Sequence, residues 1–298
     1  MRLFAVVLFF SSLFSAFGQV TGHQVGYRAS VNFAFSAAVD WRNREVSAET
    51  SFNLAQAGLR LPAGRLMGEE MLHRAWPRLF RSELLSLRVD SSTTLGDLHA
   101  SGALSLADVD AISRTAVAMP PSLSADLSSM IGRYTLNIEG ISALLLTHGR
   151  TTAPEIPLIP VPTSDYSGII IIAYRELPVW GRHGTAFIEP GLFPRIWDTE
   201  MNIIFERTML SPDRTLMVHY ADPQSIFRPT PSGLDGELAE LVGPRPLRVF
   251  ARQAFGIYPT DAVIDRNDAL RIVSSAHNRR LLQEGRVIFV LDAGMLGN

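Results

Sequence analysis

A cluster of prolines divides this chain of 298 residues into two parts. The cluster lies in the segment TTAPEIPLIPVPTSD and consists of Pro154, Pro157, Pro160 and Pro162. Because proline has no backbone N–H and a fixed φ, such a segment favours extended, polyproline-like backbone over a helix. We interpret it as a semi-rigid linker between two modules, each long enough to bury its own core. A ligand for a proline-recognising domain is the alternative interpretation.

The first residues, MRLFAVVLFFSSLFSAFGQ, have the pattern of a secretory signal peptide. Arg2 precedes an apolar run from Leu3 to Phe10, and small residues follow. This pattern predicts cleavage between Gly18 and Gln19. The alternatives are an N-terminal membrane anchor or a buried strand, although the run is shorter than the ~20 residues of a spanning helix. The predicted organisation is therefore a signal peptide at 1–18, an N-terminal module at 19–152, a linker at 153–163 and a C-terminal module at 164–298.

The composition excludes several kinds of chemistry. The chain has no cysteine and no lysine, so all 27 of its basic residues other than histidine are arginine. Thiolate nucleophiles, disulfides, Schiff bases and a lipid anchor on cysteine are therefore excluded. The net charge is −2, and no basic run predicts nucleic-acid binding. We expect no cofactor and no metal ion.

In the N-terminal module, the segment NFAFSAAVDWRNREVSAETSFNLA predicts two strands around a tight turn at 42–44. The second strand alternates, which places one set of side chains on a common face: Val46, Ala48, Thr50 and Phe52. A helix follows, and Pro77 is expected to kink or split it after Trp76. Ser105 and Asp108 form a capping-box pattern for a further helix. Asp108 and Asp110 resemble metal ligands, but residues two apart on a helix point to different sides, so capping is the better account.

In the C-terminal module, four isoleucines at 169–172 predict a strand buried on both faces. A hairpin is predicted around 198–201, and a helix capped by Asp265 is expected to end at Gly285 before an apolar strand. The predicted fold class is α+β, with two modules that each have a small, mostly antiparallel sheet covered by helices.

Few residues suggest catalysis. Glu176 and Glu189 could act as acid and base if 5 to 10 Å apart, at roughly the carboxylate spacing of glycosidases. His219, with Asp222 close by, could belong to a Ser-His-Asp site, although a lone histidine on an apolar strand is more often a hydrogen-bonded core residue. No GxSxG motif, phosphate-binding loop or histidine pair is present in the sequence. We therefore predict no catalytic residue.

The segment after the isoleucines is the predicted interaction loop. It carries charged side chains beside a tryptophan, a combination typical of protein contacts: Arg175, Glu176, Trp180 and Arg182. The alternative is a solvated charge cluster.

Several segments together resemble a known family. In the N-terminal module they are VDWRNREVSAETSF, LRVDSSTTLGDL and YTLNIEGISALLL. In the C-terminal module they are DYSGIIIIAYRELPV, LFPRIWDTEMNIIFE and the closing helix and strand up to LLQEGRVIFVLD. The chain is similar in these segments to the small bacterial envelope lipoproteins that include the flagellar outer-membrane ring protein FlgP. It departs from them in lacking the lipid-bearing cysteine and in having a longer loop at 173–187.

The resemblance implies a non-enzymatic protein that packs side by side into rings or collars. We therefore expect a periplasmic structural or interaction protein, whose partners are envelope or flagellar-motor proteins and further copies of itself. The alternatives are a periplasmic hydrolase acting on cell wall or esters, and a module that binds peptidoglycan or lipid.

Overall fold

The N-terminal domain is an antiparallel sheet with helices packed against it. The structure, a computed structural model, describes residues 31–228 and 233–297. The predicted cleavage site at Gly18 and Gln19 lies outside the described residues. The strands of this domain are β1 (Phe33–Asp40), β2 (Glu45–Asn53), β3 (Val117–Ala118), β4 (Ser122–Leu123) and β5 (Ser129–Asn137). Its helices are α1 (Arg65–Ser86), α2 (Leu95–Ala100), α3 (Leu106–Arg114) and α4 (Ile138–Leu145).

The alternation in β2 sets the core of this domain. Strand order is β1-β2-β5-β3, with β4 also pairing with β5. The predicted inward set from Val46 to Phe52 is buried, as its period of two requires. The ring of Trp76 on α1 stacks on Tyr134 of β5 at a centroid distance of 3.7 Å, and its Nε1 donates to the Ser113 carbonyl of α3. These contacts hold α1 between the sheet and α3.

Two local predictions in this domain are resolved by the structure. The capping box of Ser105 and Asp108 is confirmed: the Ser105 hydroxyl accepts from the Asp108 N–H, and the Asp108 carboxylate accepts from the Ser105 N–H. Of the expected kink or split at Pro77, the split is wrong, because α1 is one helix of 22 residues that contains Pro77. Packing of α1 against the sheet on both sides of Pro77, through Leu72 and Phe80, outweighs the lost hydrogen bond.

The C-terminal domain is built on a seven-stranded sheet. Its strands are β6 (Ile169–Ile172), β9 (Ile196–Asp198), β10 (Ile203–Phe205), β11 (His219–Ala221), β12 (Leu247–Phe255), β13 (Asp261–Ile264) and β14 (Val287–Val290). A separate small hairpin consists of β7 (Leu177–Pro178) and β8 (Thr185–Ala186). The helices are α5 (Pro223–Ile226), α6 (Gly236–Val242), α7 (Arg266–Val273) and α8 (Ala276–Gln283), with 3-10 turns at Arg207–Met209 and Ala293–Met295.

The α+β class is confirmed, but the second sheet is mixed where mostly antiparallel pairing was expected. Its order is β10-β9-β13-β12-β6-β14-β11. The β9/β13, β12/β6, β6/β14 and β14/β11 neighbours are parallel. Helices connect β11 to β12 and β13 to β14, and helical connections allow parallel neighbours where tight hairpins do not. The four isoleucines of β6 are buried, as predicted, and lie inside this parallel set.

The closing helix is also different from the prediction. It is two helices, α7 and α8, because Ser275 interrupts the pattern and caps α8 by accepting a hydrogen bond from the Asn278 N–H. Asp265 caps α7 as expected, and Gly285 has the left-handed φ of 66° that ends α8 before β14.

One apolar core runs through both domains. Residues from Val31 onward form a single compact unit, and the largest buried cluster contains side chains from β2 and α1 together with side chains from β6, β12 and β14. Backbone hydrogen bonds join the domains where Leu192 and Phe193 donate to the carbonyls of Arg88 and Val89. The segment 146–168 contains no helix or strand, as its prolines predict. Its backbone at Val161 and side chain at Thr163 bond to the α7 end of the C-terminal domain.

Candidate interaction site

The predicted interaction loop is a hairpin lying on the sheet. Strands β7 and β8 pair antiparallel, and Glu176 just before β7 accepts a hydrogen bond from the Thr185 hydroxyl at 3.0 Å. The guanidinium carbon of Arg175 lies 5.3 Å from the centroid of the Tyr174 ring. Arg175, Glu176 and Arg182 are exposed. The hairpin therefore presents charged side chains to solvent.

Trp180 anchors the hairpin to the sheet, whereas its charged neighbours are exposed. Strand β6 ends opposite Phe250, which leaves the following part of β12 without β6 as a neighbour. The hairpin occupies this place, with a bridge between Val179 and Ala254 and a 2.8 Å hydrogen bond from the Trp180 N–H to the Ala254 carbonyl. Trp180 is half-buried. The tryptophan that suggested a partner contact thus also anchors its own loop.

The two glutamates proposed as an acid and base pair have separate partners. Glu176 bonds to Thr185 within the hairpin. Glu189 forms an ion pair with Arg88 of the N-terminal domain at 2.6 Å. The second contact joins the two domains, so Glu189 has a structural partner.

His219 lies in a polar cluster between the domains. Arg44 in the β1/β2 turn reaches it, with 3.1 Å between Nη1 of Arg44 and Nδ1 of His219. Arg44 also pairs with Glu237 at 2.9 Å and with Glu139 at 3.6 Å. Its backbone is left-handed, at φ 60°, an uncommon conformation for a residue with a side chain. A cavity of about 150 Å³ adjoins the cluster.

This arrangement determines the protonation state of the histidine. Burial is the main cause that lowers the pKa of His219 to about 4; the charge of Arg44 adds to it, and Glu237 opposes it. The ring is therefore neutral at neutral pH. Because a guanidinium can only donate, Nδ1 of His219 is the acceptor and the proton is on Nε2. Nδ1 is thus already occupied by a structural hydrogen bond.

Asp222 is not aligned with His219 as a triad would require. Its carboxylate caps α5 by accepting from the Ser225 N–H and forms an ion pair with Arg42 at 3.1 Å. The Ser225 hydroxyl donates to Asp222 at 3.3 Å. The described contacts of His219 and Asp222 lead to different arginines of the β1/β2 turn, so the pair serves the domain junction.

The sequence prediction missed a buried carboxylate at the same junction. Asp261, the first residue of β13, has no exposed surface. It accepts hydrogen bonds from the Ser91 hydroxyl at 2.8 Å, the Trp197 indole N–H at 2.9 Å and the Arg195 N–H at 2.9 Å. Burial raises the pKa of Asp261, and these donors oppose the rise. Because Ser91 belongs to the N-terminal domain, the carboxylate is a bonded contact between the domains. The signal for this carboxylate in the sequence was a single aspartate directly before three apolar residues.

The open feature of the N-terminal domain is its first strand. Strand β1 is at the end of the sheet, with β2 on one side and no strand of the described residues on the other. Its exposed side chains are small: Ala34, Ser36 and Ala38. The opposite face carries half-buried Phe33 and Phe35, whose rings contact Phe52 and Phe80 respectively. The Trp41 N–H donates to the Leu296 carbonyl, so the chain's last residues lie beyond the end of this strand.

The described residues contain no group of three or more histidine, aspartate or glutamate side chains placed to hold a metal ion. Within the same ranges, no helix is both long enough and apolar enough to span a bilayer.

Comparison with known proteins places both domains. Residues 32–144 match the family model described as Treponema pallidum Tp0624, N-terminal domain. Residues 168–293 match the model described as Treponema pallidum Tp0624, second domain. No curated protein matches the chain. The two models together span most of the sequence and follow one another in order, so the chain belongs to the Tp0624 family through its N-terminal and second domains.

Proposed function

We propose that this protein is an exported, non-enzymatic component of the bacterial envelope that works by assembling with further copies of itself. The signal-peptide pattern supports export. The resemblance to envelope lipoproteins that form rings supports assembly, and the open edge of β1 is the observation that carries the proposal. Flagellar-motor or other envelope proteins are the further partners proposed.

Strand β1 lacks the features that protect edge strands. Natural edge strands are kept from pairing by charges, prolines, bulges or short length. Strand β1 has eight residues, FAFSAAVD, whose only charge is Asp40 at its end. Its pairing with β2 is in continuous register from Phe33 to Asp40. The strand therefore offers an uninterrupted, uncharged row of backbone groups.

A second copy of β1 is the occupant that this edge fits. Two identical strands can pair antiparallel about a two-fold axis. Such a contact is isologous, which means that both protomers use the same surface, so the strand has to be compatible only with its own sequence read in reverse. Centred on Ser36, such a pair keeps the exposed side chains of both strands on one face, places small or apolar residues opposite one another from Phe33 to Val39, and brings no two charges together. The result is one continuous sheet across two protomers.

The test places lysine on the edge. Ser36 and Ala38 are exposed, so the double variant S36K/A38K should keep the fold while disfavouring strand addition. We expect the wild-type mature chain to sediment as a dimer or larger assembly and the variant to sediment as a monomer at the same concentration. The matched control is S47K, at an exposed position of β2, which has a strand on each side. A monomeric wild type, or a double variant that assembles as well as wild type, would overturn the proposal.

The flagellar part of the proposal has a separate test. Crosslinking in cells followed by mass spectrometry should recover envelope or motor proteins, and a deletion strain should lose motility. Normal motility together with crosslinks only to other copies of the chain would restrict the function to an envelope assembly without a flagellar role.

A hydrolase is less well supported. The residues that suggested it have structural partners in the described part of the chain: Glu189 pairs with Arg88, and Nδ1 of His219 accepts from Arg44. An assay against cell-wall and ester substrates that gave turnover sensitive to H219Q or E189Q would contradict the non-enzymatic proposal.

A further inference from the structure

Three parallel strands begin at one edge of the second sheet and bring polar residues together there. The register aligns Leu247 of β12 and Val287 of β14 with Ile169 of β6. Because the strands are parallel and aligned, the residues just before them meet at the same edge. These residues are Arg245, Ser167 and Arg286.

The entry loops to β6 and β12 are held together by reciprocal hydrogen bonds. The Arg245 N–H donates to the Ser167 hydroxyl oxygen at 2.8 Å, and the Ser167 N–H donates to the Arg245 carbonyl at 3.1 Å. Gly243 at the end of α6 has φ 69°, and a Cβ there would lie 2.7 Å from the Cβ of Ser167. The glycine therefore permits a close approach that fixes both loops.

Helix α8 packs at this edge and forms one wall of an open cavity of about 450 Å³, a volume within the range of small-molecule sites. The helix contributes His277, Arg280 and Leu281 to the lining, and Glu284 directly after the helix also lines the cavity. The Nε2 of His277 is 2.7 Å from the Tyr166 carbonyl, so the imidazole donates there and is held in place. The cavity is thus built from four separate elements.

The charges of the cavity favour an anion. Three guanidinium groups line it, from Arg245, Arg280 and Arg286, against the carboxylates of Asp165 and Glu284. Asp165 accepts from the Ser275 hydroxyl at 3.0 Å, and Glu284 lies 3.9 Å from Nη1 of Arg286. Arg280 has no ion pair among the residues that the structure describes, and its side chain is exposed. The positive charges are therefore in excess.

We propose that this cavity binds a phosphate group, either free or carried on a small molecule or a lipid headgroup. Guanidinium groups match the geometry of phosphate oxygens and bind them with bidentate, charge-assisted hydrogen bonds. The Ser167 hydroxyl adds a donor, because its oxygen already accepts from Arg245 and its proton is free to be donated to a ligand. The proposal is independent of self-association through β1.

The experiment titrates the mature chain with inorganic phosphate and follows binding by phosphorus NMR and calorimetry. R280Q should weaken binding by about ten-fold or more, because a charge-assisted hydrogen bond is lost. R114Q, which removes an exposed arginine from α3 of the other domain, is the control and should bind as wild type does. Absence of phosphate binding, or equal binding by R280Q and wild type, would refute the site.

Two further arms define the ligand. Succinate tests for carboxylate chemistry, and succinate binding as tight as phosphate binding with the same dependence on Arg280 would overturn the assignment to phosphate. Vesicles of phosphatidylglycerol and of phosphatidylcholine test for a lipid source. Sedimentation with the anionic vesicles alone, lost in R280Q, would support a lipid headgroup; phosphate binding without vesicle binding would support a soluble ligand.

Discussion

At the scale of single residues, three buried ionisable groups with shifted pKa values lie where the two domains meet. Tyr220 donates to the Gly191 carbonyl and accepts from the Gly191 N–H, and burial raises the pKa of its hydroxyl. Asp261 accepts from donors of both domains, and His219 accepts from Arg44. Perturbed pKa values also mark catalytic sites, but here each group has a structural partner. The perturbation therefore reports the burial of polar groups during domain packing.

His219 makes stability depend on pH. Its folded pKa, about 4, lies below the ordinary value of 6.5, so the unfolded chain binds this proton more readily. Stability from this group is present above pH 6.5 and is lost as the pH falls toward 4. Between pH 7.5 and 4.5 the wild type should lose about 2 kcal/mol of unfolding free energy more than H219Q, which has no titrating ring.

Chemical denaturation of both proteins at several pH values measures this difference. The neighbouring carboxylates of Glu237, Glu139, Asp235 and Asp222 are the same in both proteins, so the comparison isolates the imidazole. H73Q, at an exposed position of α1, should keep the wild-type profile. An H219Q profile parallel to that of wild type would contradict the assignment.

At the scale of elements, the sequence predicted correctly the features that depend on residues close together in the chain. The β1/β2 hairpin, the Ser105 capping box, the buried strand at 169–172 and the turn before β10 follow from period, caps and turn residues, and all are present. The parallel pairing of β6 was missed because pairing depends on which strands the connections bring side by side. The Asp261 contacts and the arginine cavity were missed for the same reason, since their residues are distant in sequence.

In the β7/β8 hairpin, the residue that anchors the loop differs from the residues that are exposed to a partner. Trp180 is half-buried and bonded to β12, so W180A should lower the unfolding free energy by about 1 to 2 kcal/mol. Arg182 is exposed, so R182A should change stability by less than about 0.5 kcal/mol. If the loop binds a partner, R182A should nevertheless reduce crosslinking of the chain to envelope proteins. Denaturation and in-cell crosslinking measure the two effects, and unchanged crosslinking in R182A would remove the loop from the interaction surface.

At the scale of the whole molecule, the two domains are joined by a shared apolar core as well as by the proline-rich segment. The edge strand β1 and the arginine cavity belong to different domains, and the polar cluster of Arg44 and His219 lies between them. A shared core fixes the position of the two candidate surfaces relative to each other. A protein that assembles needs this if each copy is to present both surfaces in the same orientation. This rigidity depends on the domain junction.

Trp41 provides the sharpest test of that junction. It lies in the β1/β2 turn, is 8% exposed, and packs edge-on against Tyr220 of the other domain with 5.8 Å between ring centroids. Because one core spans both domains, we expect a single cooperative unfolding transition for the wild type. W41A should lower the free energy of that transition by about 3 to 5 kcal/mol. F250A, which truncates a side chain that is 58% exposed, should lower it much less.

Hydrogen exchange should show W41A losing protection in β2 and β14 together. Two separate transitions, or lost protection confined to the N-terminal domain, would mean that the domains fold independently and that the junction does not fix their surfaces.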